Sequence, residues 1–160
     1  REICFVPDND YASFIEKRVG EKNFHEGDII NANGEKLGKH RGYPAFTIGQ
    51  RKGLNIGGLK DRHYVTAIDP EKNEITVGLK NSLYRSDFFV NKVNWYLPRQ
   101  EVFEAQVQIR YLHNGSTAKV KPLPGKRAHV EFSEPQLSIT PGQSAVFYVD
   151  ECIVGGGWIE

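Results

Sequence analysis

From Asp87 onward the chain is cut into short β-rich runs at even intervals, and this spacing constrains the fold more than any other feature. Phe88 to Trp95, Val102 to Arg110, Ser116 to Lys121, Ala128 to Phe132, Ser144 to Val149 and Cys152 to Val154 are separated by Pro, Gly, Asn or Asp. Regular short strands with such breaks argue a small closed barrel, in which no strand edge is left unpaired. The expectation for this part is an antiparallel β-barrel of about six strands.

The upstream part has a different texture. Asp8-Asn9-Asp10 carries helix N-cap chemistry, and Tyr11, Phe14 and Ile15 follow on an i, i+3, i+4 stripe, so a short helix ending near Gly20 is predicted. Gly27 to Ala32 and Lys36 to Gly38 flank Asn33-Gly34, a hairpin signal because Asn-Gly accommodates the positive φ angles of a type I′ turn. Phe46-Thr47-Ile48 reads as a further strand ending at Gly49. His63 to Ile68 and Glu74 to Gly78 are β-rich runs joined through Pro70, which predicts a second hairpin. The fold class is therefore mainly β: a small α+β domain followed by the barrel.

With 160 residues the chain is long enough for one typical domain or two small ones with modest cores. Its two cysteines, Cys4 and Cys152, are too few and too far apart for a secreted disulfide framework, which makes a reducing cytosol the default. No apolar stretch approaches membrane-spanning length, and no signal-peptide pattern follows Arg1. A net charge of +1 does not announce nucleic acid, so any RNA contact must come from local patches.

Several such patches are visible. Gln106 to Tyr111 alternates polar and apolar residues, with Val107 and Ile109 toward a core and Arg110 on the opposite face. Arg110 can clamp a phosphate through two N–H groups and the Tyr111 ring can stack on a base; equally, they read as a surface arginine beside a barrel tyrosine. Thr140-Pro141-Gly142-Gln143 has a Pro-Gly signature of a type II turn. Gly49 to Gly58 is glycine-rich and carries the adjacent cations Arg51 and Lys52, so backbone N–H groups and cations could converge on a phosphate, although Walker-A spacing is lacking. Lys119, Lys121, Lys126, Arg127 and His129 form the densest basic cluster, and their alternation with Val120 and Val130 describes the wet side of a barrel equally well.

The five histidines have no metal-ligand spacing with either cysteine, so no metal site is expected. Cys152, beside Ile153-Val154 and a glycine run, reads as a core residue of the last strand. From its flanks, Ile3 and Phe5, Cys4 reads as a small buried hydrophobe in an edge strand.

A family resemblance changes that reading. Glu2-Ile3-Cys4-Phe5, Gly38 to Gly42, Tyr43 to Leu54, Ile109-Arg110-Tyr111, Thr140 to Tyr148 and Gly155-Gly156-Gly157 occur in the same order as in the C-terminal portion of the bacterial tRNA-specific 2-thiouridylases, the MnmA or TrmU family. The chain resembles that portion over nearly its whole length. In the family an N-terminal ATP-pyrophosphatase domain adenylates the wobble uridine of certain tRNAs, and sulfur arrives as a cysteine persulfide.

The resemblance implies that Cys4 is the persulfide-carrying catalytic cysteine and that Arg110, Tyr111 and Gln143 contact tRNA in its anticodon region. It also favours contact of Arg51 and Lys52 with tRNA backbone or with the catalytic domain, and a barrel like the second domain of elongation factor Tu. The division implied is residues 1–10 as the tail carrying Cys4, 11–86 as a central domain and 87–160 as the barrel.

The Ser-Gly-Gly-x-Asp-Ser phosphate loop and the family's other catalytic cysteine have no match here. The expectation is a cytoplasmic fragment, inactive alone, whose ATP site lies in the missing domain and whose partners are tRNA, a sulfur-relay donor protein and its own pyrophosphatase domain. The alternative is a non-catalytic RNA-binding or domain-docking module. A translation-factor-like role finds no GTP-binding loop, and a methyltransferase role finds no glycine-rich loop within a βαβ unit.

Overall fold

The computed structural model describes residues 10–20, 24–58, 60–97 and 101–160, and the chain divides into two compact units between Ser82 and Leu83. Cys4 and the block around it lie outside the described residues.

In the first unit, helix α1 (Tyr11–Val19) starts where the Asp10 carboxylate accepts the Ser13 amide N–H at 3.1 Å, and ends where Gly20, at φ +76°, donates to the Glu16 carbonyl. These satisfy backbone groups that a helix end leaves without partners. Its buried side is Ala12, with Ile15 packed against the same small cluster of Phe24 and Ala45, whereas Phe14, part of the expected stripe, is exposed.

Strands β1 (Gly27–Asn31) and β2 (Lys36–His40) form the predicted hairpin, but its turn is not type I′. Only Gly34 has a positive φ, +81°; its N–H donates to the Asn31 carbonyl, and the Asn31 side chain accepts the amides of Asn33 and Glu35. This is the three-residue loop with a left-handed glycine, which needs one positive φ rather than two. β3 (Tyr64–Asp69) and β4 (Glu74–Gly78) form the second predicted hairpin. The two hairpins join in one sheet of order β2-β1-β4-β3 through a parallel β1–β4 pairing, over a core of Ile29, Leu54, Val65, Ile75 and Val77.

Phe46-Thr47-Ile48 is not a strand. It follows a 3-10 turn at Tyr43–Ala45 containing Pro44; Phe46 and Ile48 pack against the sheet's core, and Gly49 and Gln50 then exchange backbone bonds of 2.8 and 2.9 Å with Val65.

The second unit is a closed barrel built from β5 (Tyr84–Trp95), β6 (Phe103–Gln108), β7 (Ser116–Leu123), β8 (Arg127–Leu137), β9 (Ser144–Val149) and β10 (Cys152–Ile159), in the order β10-β5-β8-β7-β6-β9. All pairings are antiparallel. Alternate residues point inward, so Val90, Val107, Val120, Val130 and Phe147 are fully buried in one cluster. Truncating a ring such as that of Phe147 would cost about 3–5 kcal/mol.

Two strands run further than their sequence suggests. β8 continues through Pro135, which sits where the register against β5 slips between Asp87↔Glu131 and Arg85↔Gln136. Such an irregularity tolerates a residue with no N–H to give. β10 continues through Gly155, Gly156 and Gly157 because neighbouring backbone lies too close for a side chain: an added Cβ would stand 2.6 Å from the Ala145 carbonyl oxygen at Gly156 and 2.4 Å from that of Asn91 at Gly157.

Candidate nucleic-acid interface

β6 and β9 run antiparallel with Gln108 opposite Val146, so the chain leaving β6 at Ile109 passes beside the chain entering β9 at Ser144. This register carries Arg110, Tyr111 and Gln143, widely separated in sequence, to one end of the barrel. Arg110 is exposed, and its Nη1 donates to the Leu137 carbonyl at 2.9 Å. His113 reaches Gln136 through Nε2 at 3.2 Å, so the loop from Arg110 is fastened twice to the end of β8. Tyr111 on that loop is 78% exposed. Gln143 is fixed through its backbone: its N–H donates to the Thr140 carbonyl, and its own carbonyl accepts from Ile159 at 2.8 Å. Gly142, at φ +84°, makes the turn. The arrangement offers a guanidinium, a phenol ring and an amide on one rim, the groups that take a phosphate, a base face and a base edge or ribose hydroxyl.

In the other unit, Arg51 and Lys52 lie on a loop stapled by Gln50. The Gln50 Oε1 accepts the Thr47 N–H at 3.0 Å and its Nε2 donates to the Lys52 carbonyl at 2.9 Å. Lys52 lines a hollow of about 580 Å³ with Lys39, Arg41, His40 and Phe46, while Arg51 lines one of about 270 Å³ with Arg62 and His63. Lys39 is paired with Glu26, and Arg41 stands 3.8 Å from Asp10. Neither Arg51 nor Lys52 pairs with a carboxylate among the described residues. The adjacent cations therefore face separate hollows, each of net positive lining, rather than converging on one phosphate.

Comparison with known proteins agrees with this division of the chain. Residues 12–79 match the family described as tRNA methyl transferase PRC-barrel domain, and residues 85–159 match the aminomethyltransferase beta-barrel domain. The chain is 43% identical to a tRNA-specific 2-thiouridylase MnmA 2 of Syntrophus aciditrophicus, over 100% of this chain and 53% of that protein. It is 44% identical to the tRNA-specific 2-thiouridylase MnmA of Geotalea uraniireducens and 44% identical to that of Carboxydothermus hydrogenoformans, over 100% of this chain and 42% and 44% of theirs. The chain belongs to the tRNA-specific 2-thiouridylase family. It corresponds to the C-terminal part of its relatives and spans about half of their length.

Set in this 2-thiouridylase barrel, most of the basic cluster has acidic or histidine neighbours on the outer wall. Lys119 lies between Glu104 of β6 and Glu131 of β8, and Lys121 stands opposite His129, which itself meets Asp87 at 3.1 Å. Arg127 pairs with Glu160 at 2.6 Å. Cys152 is exposed at the start of β10 and is not a core residue: it follows directly on a two-residue turn in which Asp150 and Glu151 both adopt positive φ, 49° and 65°, so it stands at the very end of its strand. No cluster of metal-ligating side chains occurs among the described residues, and no helix in them is long and apolar enough to cross a membrane. Sequence reasoning passed over Gln50, whose short polar side chain organises the loop; only its position between Gly49 and the cations could have drawn attention to it.

Proposed function

We propose that this chain is the tRNA-holding part of a cytoplasmic tRNA sulfurtransferase that 2-thiolates the wobble uridine, and that Cys4 carries the incoming sulfur. The observation behind the binding role is the barrel register that gathers Arg110, Tyr111 and Gln143 on one rim. The anticodon region of the tRNA lies on that rim, with Arg110 on a phosphate and Tyr111 and Gln143 on an unpaired nucleotide, while Arg51 and Lys52 hold further backbone phosphates.

The Cys4 thiolate attacks the terminal sulfur of a persulfide on a donor protein; a new S–S bond forms at Cys4 as the donor's thiolate departs. Activation of the uridine by ATP belongs to a pyrophosphatase domain outside these residues. The residues here do not fit a nucleotide triphosphate: the loop from Gly49 to Gly58 opens no helix among the described residues, so it lacks the helix N-terminus that such a site uses. The chain alone therefore binds tRNA without thiolating it.

A salt titration of tRNA binding tests the reading. Arg110→Ala is expected to lower affinity with the barrel still folded and to reduce the slope of log K against log salt by about 1. Unchanged affinity and slope would exclude the rim as the phosphate-binding surface.

A further inference from the structure

The wall beside Gln143 carries a ring that the proposed function does not yet use. Trp158 lies on β10 and is 52% exposed, with Ser144 as its cross-strand partner on one side and Asn91 on the other. Ser144 follows Gln143 directly, and the N–H of Ile159, next after Trp158, donates to the Gln143 carbonyl. The indole is thus fixed on the strand pair that also fixes Gln143.

Its mounting is rigid. The three glycines before it leave no room between β10 and the backbones of β5 and β9, so this strand cannot shift without moving both neighbours. The protein's other tryptophan, Trp95, packs with Phe103 and Phe147 against the barrel core. Trp158 is in no such cluster among the described residues.

The surroundings identify the kind of ligand. Around Trp158 stand Ser144, Asn91 and, at the end of the strand, Glu160 holding Arg127. Glu160 also donates its N–H to the Phe89 carbonyl, and the exposed Phe89 ring lies between the His129 ring, 4.8 Å away, and the Arg127 guanidinium, 5.3 Å away. This is an aromatic surface set among hydrogen-bonding and cationic groups, not the contiguous apolar patch that a tightly packed protein interface presents. A flat ring with polar neighbours suits a nucleobase, which offers a π-face whatever its sequence and polar edges around it.

Building on the proposed tRNA-holding role, we propose that Trp158 is a stacking platform for an unpaired base of the tRNA, adjacent to the nucleotide met by Gln143.

The experiment uses the chain with an unmodified tRNA transcript bearing a wobble uridine. Trp158→Ala is expected to weaken binding by about 5- to 150-fold, the loss of one stacked base, with the salt slope unchanged because no charge is removed. Trp158→Phe keeps a π-face and retains most of the affinity. Subtracting the emission of Trp158→Phe from that of the unsubstituted chain isolates the Trp158 signal, which saturating tRNA should quench. Unchanged affinity in Trp158→Ala overturns the platform whatever the fluorescence does. If Arg110→Ala still weakens binding in that case, the tRNA-holding role stands without it; if the unsubstituted chain binds no tRNA, both fall together. Because the ring is on the surface, the substituted barrel should melt as before, which separates lost stacking from lost fold.

Discussion

The amide N–H of Gly42 donates to Nδ1 of His40 at 3.1 Å, and on the other side of the ring Nε2 faces the Asn73 carbonyl at 3.1 Å. The first bond requires a bare nitrogen and the second a protonated one, so the neutral Nε2–H tautomer satisfies both. His40 is 3% exposed, and burial holds its pKa below the ordinary value of 6.5, although Asn73 and the carboxylates of Asp28 and Glu26 pull the other way and His25 adds to the lowering. A proton on Nδ1 would turn the Gly42 bond into two opposed donors.

The sign of the pH dependence follows. Between the lowered folded pKa and about 6.5 the unfolded chain binds more protons than the folded one, so stability rises with pH in that window and is lost as pH falls through it. Urea unfolding followed from about pH 7 to about pH 5 should show a falling midpoint. His40→Gln should be less stable at neutral pH but lose part of that slope, the other histidines being common to both proteins. An identical slope would remove His40 as its source.

Gln50 is expected to act through the loop, not through contact with RNA. Gln50→Ala leaves the Thr47 amide without its acceptor and the Lys52 carbonyl without its donor, a loss of about 0.5–1.5 kcal/mol per bond at most because both are exposed. Hydrogen exchange at Thr47 should quicken, and tRNA affinity should fall less than for Arg51→Ala combined with Lys52→Ala. Only the double substitution should flatten the salt dependence, by about 2.

The barrel was legible because each run carries its own inward alternation and its own break, signals local enough to survive without knowledge of the partner strand. What failed was the meaning of individual breaks. Pro135 and Gly155 look like ends of strands, yet one sits in a slipped register and the other under a neighbouring ring, with Trp95 Cε3 2.6 Å from where a Cβ would be. Both are facts about a partner strand, which a single run of residues does not contain. The parallel β1–β4 pairing is hidden for the same reason: two hairpins predict their internal pairs, not how they lie against each other. Of the candidate interface, Arg110, Tyr111 and Gln143 were named from motifs, but their shared rim is a product of register. The apolar flanks of Cys152 suggest a core, whereas its place at the end of β10, directly after the turn, leaves it exposed.

The glycine run of β10 yields a prediction about stability. At Gly156 an added methyl meets the backbone carbonyl of Ala145, which is paired in the barrel and cannot step aside. Gly156→Ala should destabilise by about 1–3 kcal/mol, a fall in melting temperature of about 4–8 °C for each kcal/mol in a unit of this size. Gly57→Ala is the control: nothing lies within 4 Å of its added Cβ, and its melt should stay within about 0.5 kcal/mol of the parent. Equal melts for the two would mean that β10 can move away from β9.

The sulfur-carrying role proposed for Cys4 has an internal competitor, because Cys152 is a free thiol exposed at the start of β10. Exposure alone makes a thiol available, and a donor persulfide that transferred to any accessible thiolate would load both. Specific transfer predicts otherwise. With a cysteine desulfurase and limiting donor, peptide mapping by mass spectrometry should find one added sulfur atom on the peptide containing Cys4 and none on the peptide containing Cys152. Cys152→Ala should leave loading unchanged, and Cys4→Ala should abolish it. Sulfur distributed equally over the two thiols, or retained in Cys4→Ala, would show transfer governed by exposure and would remove Cys4 from the mechanism, leaving the tRNA-binding role to be judged on the Arg110 titration alone.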